Sequence, residues 1–141
     1  MWPQITLDKN ITLNLNGKTI GYQIPAESLI YTPVLISVNR GTLTITGNGT
    51  ISAECGDNNA YGIDVNGGAV VVENGNYYGA LSALQVEKGS LVINGGFFDL
   101  APTCKAAVPE YARYVVNCID SAYKNGTAQI QINGGTFVNF D

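Results

Sequence analysis

The chain contains no histidine, only two arginines (Arg40 and Arg113), and charged residues at 13% of its 141 positions, with a net charge of -4. That balance excludes a basic surface able to track phosphates, so a nucleic-acid partner is not expected. Three cysteines, Cys55, Cys104 and Cys118, form no CxxC pair and have no histidine to complete a zinc site, so no structural metal is expected. Their odd count argues against a disulfide framework; they read as small apolar core or loop residues, with one pair able to bridge adjacent coils in an oxidising setting. No run approaches the ~20 apolar residues of a membrane helix, and Met1-Trp2-Pro3-Gln4 leads into a strand pattern without a basic segment, so neither membrane span nor signal peptide is expected. No cofactor motif is present. A linker is missing too: the 17 glycines punctuate the ends of short apolar runs, and one domain over residues 1–141 is expected.

What the sequence does have is a recurring phrase. Gly89-Ser-Leu-Val-Ile-Asn-Gly-Gly-Phe-Phe98 shares its plan with Gly41-Thr-Leu-Thr-Ile-Thr-Gly-Asn-Gly-Thr50, Gly68-Ala-Val-Val-Val-Glu-Asn-Gly-Asn-Tyr77 and Gly126-Thr-Ala-Gln-Ile-Gln-Ile-Asn-Gly-Gly-Thr-Phe137. Each is a glycine, a short strand with two alternating apolar residues, then a glycine turn into another strand. Five inward pairs follow: Leu13 and Leu15, Leu43 and Ile45, Val70 and Val72, Leu91 and Ile93, Ile130 and Ile132. The units are unevenly spaced, closest between Val72 and Ile93 and widest before Ile132, which suits an architecture whose strands are fixed and whose loops vary.

Most units are preceded by a first strand, Ile5–Leu7, Leu35–Val38, Gly62–Val65 and Ala83–Val86, each ending before a corner such as Asn66-Gly-Gly. A third strand follows each unit at Thr19–Ile24, Thr50–Ala53, Tyr77–Tyr78, Phe97–Phe98 and Thr136–Phe137. Three short strands per coil and about five coils predict an all-β, right-handed parallel β-helix. The competing architecture is an antiparallel sandwich, because Asn-Gly between apolar runs is also a hairpin signal. Recurrence of every strand one unit later favours parallel stacking.

Stacking sets the roles of other residues. Thr12, Thr42, Thr44, Gln129 and Gln131 face outward as polar-tipped β-formers, and Asn16, Asn94 and Asn133 form an amide ladder that Thr46 and Glu73 interrupt. Asp64 points outward between Ser37 and Gln85, which makes a polar column and not a carboxylate pair. Glu54, Asp57 and Asp99 lie at loop edges with no matching carboxylate that the sequence locates, so polysaccharide hydrolysis or lyase chemistry, which needs carboxylates at close range, is not the expected activity. Trp2, Tyr22, Leu29, Ile30, Tyr31, Tyr77 and Tyr78, with outward Val71 and Val92, remain after the columns are filled, so a closed homo-oligomer is expected, with end-to-end stacking of copies as the alternative.

Two insertions depart from the plan, at residues 25–33 and 101–114. In the second, Pro109 is placed to start a helical turn, and Lys105, Glu110, Tyr111 and Arg113 are the candidate binding residues; the alternative is a lid over one flank.

Ile93-Asn-Gly-Gly-Phe-Phe98, Ile132-Asn-Gly-Gly-Thr-Phe-Val-Asn-Phe140 and Leu13-Asn-Leu-Asn-Gly-Lys-Thr-Ile20 resemble the repeats of β-helix proteins encoded by bacteriophages and prophages of gut bacteria. The resemblance implies a virion structural protein, such as a fibre, spike or capsid decoration, commonly a homotrimer, with other virion proteins and host-surface carbohydrate as partners. It carries over no catalytic residue. Similar repeats in bacterial cell-surface adhesins, which would be extracellular, and in polysaccharide-active β-helix enzymes are the alternatives.

Overall fold

The computed structural model describes residues 5–24, 34–55, 60–101 and 114–138, with backbone alone for 22–24, 54 and 55. In chain order the strands are β1 (Ile5–Leu7), β2 (Ile11–Asn14), β3 (Thr19–Ile24), β4 (Val34–Val38), β5 (Thr42–Thr46), β6 (Thr50–Cys55), β7 (Tyr61–Val72), β8 (Asn76–Gly79), β9 (Ser82–Ile93), β10 (Phe97–Leu100), β11 (Val116–Cys118), β12 (Ala128–Ile132) and β13 (Thr136–Phe137). One short helix, α1 (Asp120–Lys124), lies between β11 and β12. The chain is therefore all-β, and no helix among the described residues is long and apolar enough to cross a membrane.

Every strand pairing among the described residues is parallel, which removes the antiparallel alternative. The pairings form three stacks, each five strands deep. The first is β1, β4, the start of β7, the start of β9, then β11. The second is β2, β5, the ends of β7 and β9, then β12, and the third is β3, β6, β8, β10 and β13. All three run in the same order from the first strands of the chain to the last.

The register fills the interior with like on like. Leu43, Val70, Leu91 and Ile130 stand in one column of the second stack, and Ile45, Val72, Ile93 and Ile132 in the next. Ile45, Val72 and Ile93 are fully buried, whereas Ile132, on the last strand of the stack, is 53% exposed. In the third stack Ile20, Ile51, Tyr77, Phe98 and Phe137 share a column. Its three rings stack face to face, Tyr77 on Phe98 and Phe98 on Phe137, each pair with centroids 5.0 Å apart, a geometry that adds to the stabilisation by burial alone. Tyr77 is thus a core residue and not surplus surface, with its hydroxyl donating to the Asn74 carbonyl at 2.6 Å. Gly96 and Gly135 precede these rings with φ near +110°, and a Cβ at either would lie 3.3 Å from ring carbons; only glycine combines that backbone with that proximity.

Four further expectations change. In the first unit Ile11 pairs with Leu43 and Leu13 with Ile45, so the inward pair is Ile11 and Leu13. Leu15 is buried as well, but beyond the end of β2, in the corner against Gly49 and Gly75. The Asn10 side chain fixes this register by accepting the Thr42 N–H at 2.9 Å. Asn16, at φ +45°, is spent in the Asn16-Gly17 turn closed by Lys18 N–H to Leu15 O at 2.8 Å.

Second, the amide ladder runs Asn133 Nδ2 to Asn94 Oδ1 at 2.8 Å and Asn94 Nδ2 to Glu73 Oε1 at 3.0 Å. Glu73 continues the ladder as its terminal acceptor and does not interrupt it. Third, the corners at Asn66-Gly67-Gly68 and Glu87-Lys88-Gly89 do not break their strands: β7 and β9 run through them with a bulge. The backbones nest so closely there that a Cβ on Gly89 would run into the Gly68 carbonyl oxygen.

Fourth, the first stack has a fifth member, β11, that the sequence pattern did not reveal, followed by α1 where a tight corner stands in earlier units. The insertion at 25–33 lies outside the described residues, as do residues 102–113 of the second and the helical turn from Pro109. Cys118 is a free, half-buried thiol, Cys55 belongs to β6 by its backbone, and Cys104 lies outside the described residues.

Ile93 has neighbours above and below and is inaccessible to solvent, so Ile93→Ala should cost roughly 2–5 kcal/mol. Ile132→Ala, on the open side of the same column, should cost below about 1 kcal/mol, since little of that burial is lost. Urea midpoints of the two variants check this: equal shifts would contradict the column.

Candidate functional site

The outer face of the first stack carries a row of polar side chains in register: Thr6, Ser37, Asp64, Gln85 and Asn117. Alternation along each strand turns them away from the aliphatic columns, as expected for Asp64. Yet Ser37, Asp64 and Gln85 are buried, Asp64 to 5% exposure. Outward direction and solvent exposure part company here.

The members of the row on either side of Asp64 are hydrogen-bonded, one to the next strand and two within their own segments. Ser37 Oγ donates to Asn39 Oδ1 at 2.9 Å, Asn117 Nδ2 donates to Gln85 Oε1 at 2.8 Å, and Gln85 Nε2 reaches Glu87 Oε1 at 3.4 Å. Asp64 Oδ1 alone, among the buried side-chain polar atoms described, has no partner. Burial, and then the negative charge of Glu87, push the Asp64 carboxyl up to about 7, because desolvation and a like charge both disfavour the carboxylate. Tyr61 joins the cluster: burial first, then Glu87 and Asp64, raise its phenol above the ordinary value, against a side-chain hydrogen bond from Gln85.

A carboxyl that titrates near neutrality is the raw material of general acid–base chemistry. A second carboxyl does not join it from the positions singled out in the sequence. Asp99 sits on β10 in the third stack, level with Tyr78 and Ser52, and its own Oδ1 accepts the Leu100 N–H at 2.8 Å. The Glu54 side chain and Asp57 lie outside the described residues, as do the candidate binding residues Lys105, Glu110, Tyr111 and Arg113. Tyr61, Glu87 and Asn117 are the members that the sequence reading missed. The alternation in Val116-Asn-Cys was the available signal for Asn117, weak because only three residues carry it.

The second feature is the end of the stacks. Val116 and Cys118 of β11, Ile130 and Ile132 of β12, and Phe137 of β13 line a cavity of about 620 Å³ that opens past the last strands. Burial, then the charge of Asp120, raise the Cys118 thiol above its ordinary value, which suppresses the reactive thiolate. This is an apolar surface and not a nucleophile's setting.

Asp64 makes stability depend on pH with a definite sign. Its folded value lies above the ~3.9 of an unfolded aspartate, so between about pH 4 and pH 7 the unfolded chain releases a proton that the fold retains. Its contribution therefore falls as pH rises through that window and is most unfavourable above 7. Asp64→Asn should stabilise the protein at pH 8 by roughly 1–3 kcal/mol and leave it within about 1 kcal/mol of the parent at pH 4. Parallel midpoint-against-pH curves for parent and variant would contradict the assignment.

Compared with protein-family models, curated proteins and solved structures, the chain matches none, so the functional reading rests on its own residues and geometry.

Proposed function

We propose that the three stacks are the three faces of one right-handed parallel β-helix of five turns, and that the protein is a non-enzymatic structural component of a bacteriophage virion, a fibre, spike or capsid decoration. Support for the winding comes from the common order of the three stacks and from the right-handedness of connections between parallel strands. The virion setting is drawn from the resemblance of the Asn-Gly-Gly-x-Phe repeats to phage and prophage β-helix proteins.

The observation that carries a structural role is the open apolar end at Ile130, Ile132 and Phe137. Strand edges with an apolar lining invite a covering partner, which suits a part made to associate. The homotrimer implied by the resemblance would associate through the flanks instead. There the surplus apolar row of the second stack is Val71 and Val92, both half-buried, between Thr44 and Gln131.

Mass spectrometry of density-purified phage particles released from cells carrying the gene is the direct test. Peptides of this chain should co-purify with the major capsid protein in a fixed ratio. Their confinement to the cell envelope would favour the adhesin reading and overturn the virion one.

A further inference from the structure

The two ends of the stacks match each other column by column. β1, β2 and β3 form one end, with Ile5 and Ile11 exposed at 41% and 38%; β11, β12 and β13 form the other. Following each column from strand to strand places Ile130 in line with Ile11, Ile132 with Leu13, and Cys118 with Leu7. In the third stack the aromatic column ends on Phe137 and begins on Ile20.

We propose that the end formed by β11, β12 and β13 docks onto the β1, β2 and β3 end of a second copy, so that copies stack head to tail and the parallel ladders continue across the junction. The occupant is another copy because the contact it makes is the one already made between every pair of neighbouring strands within the chain. Aliphatic residues meet aliphatic residues, and each open edge meets a strand running in its own direction. The amide ladder supplies the direction. Asn14 stands in the same column as Thr46, Glu73, Asn94 and Asn133. Inside the chain Asn133 donates to Asn94 and Asn94 to Glu73. Asn14 uses its Oδ1 for the Asn16 N–H at 3.0 Å, which leaves its amide N–H groups to donate to Asn133 Oδ1 of the copy it sits on, in the same sense. The corners agree in charge as well: Asp8 and Lys9 join β1 to β2, and Asp120 and Lys124 lie between β11 and β12, one charge of each sign on either side.

This contact is heterologous and need not close, so it generates linear stacks. It rests on the structural reading above and not on the virion setting, and a purified chain suffices to test it. Asn14→Cys and Asn133→Cys proteins are prepared separately, mixed, and oxidised with copper phenanthroline. Covalent dimers specific to the mixture, absent from either variant alone and from the parent, are expected. In parallel, light scattering on the parent should give a mass that climbs with concentration, and Ile132→Lys should raise the concentration of that climb by at least about tenfold, because the junction would bury an unpaired ammonium. Circular dichroism confirms that the exposed-site variants fold. A concentration-independent monomer overturns the docking. So does a discrete trimer without the 14–133 cross-link, an outcome that would leave the virion reading standing.

Discussion

Parallel pairing of each strand with its counterpart one unit later is the constraint on which the rest of the molecule depends. It sets neighbouring backbones about 4.8 Å apart, and at that spacing a side chain's principal contacts are the residues at the same place in the units above and below. Aliphatic residues therefore form columns, aromatic residues form a ring stack through Tyr77, Phe98 and Phe137, and asparagines form a ladder that a glutamate can end. The glycines follow from the same constraint: a Cβ at 89 would run into the Gly68 carbonyl, and at 96 and 135 the positive φ of the corner comes with a ring packed close by.

That constraint also separates what the sequence made legible from what it did not. Aliphatic alternation bounded by glycine corners placed four of the five units and all of the third strands, because those signals are local. The first unit slipped by two residues: Ile11, Leu13 and Leu15 continue one alternation, and a two-residue shift keeps the same face inward. The Asn10 contact to Thr42 resolves it, and a contact so distant in sequence has no signature in periodicity. β11 was missed because a three-residue strand followed by α1 carries neither an aliphatic pair nor a glycine corner. The polar row was legible in its order, Ser37, Asp64 and Gln85, but not in its burial, which alternation along a strand does not encode and which is the first cause of the raised Asp64 carboxyl.

The same geometry sets up both functional features. A stack keeps its outward residues in rows, so one buried carboxyl and its neighbours Gln85, Glu87 and Tyr61 become a cluster from residues well separated along the chain. A stack also has end strands: among the described residues Ile132 and Phe137 pair on one side, whereas Ile93 and Phe98 pair on both. Stability is thereby graded: β7 and β9, twelve-residue strands with partners on both sides, belong to the most cooperative part, and the terminal strands to the least.

Native-state hydrogen exchange, measured at the lowest workable concentration so that copies stay apart, tests this most directly. The backbone amides of β7 and β9 should exchange slowest, near the free energy of global unfolding, with protection falling toward β1 and β2 on one side and β12 and β13 on the other. Terminal strands as protected as β7 and β9 in a chain shown to be monomeric, or central strands that open first, would contradict an architecture held by strand-on-strand stacking.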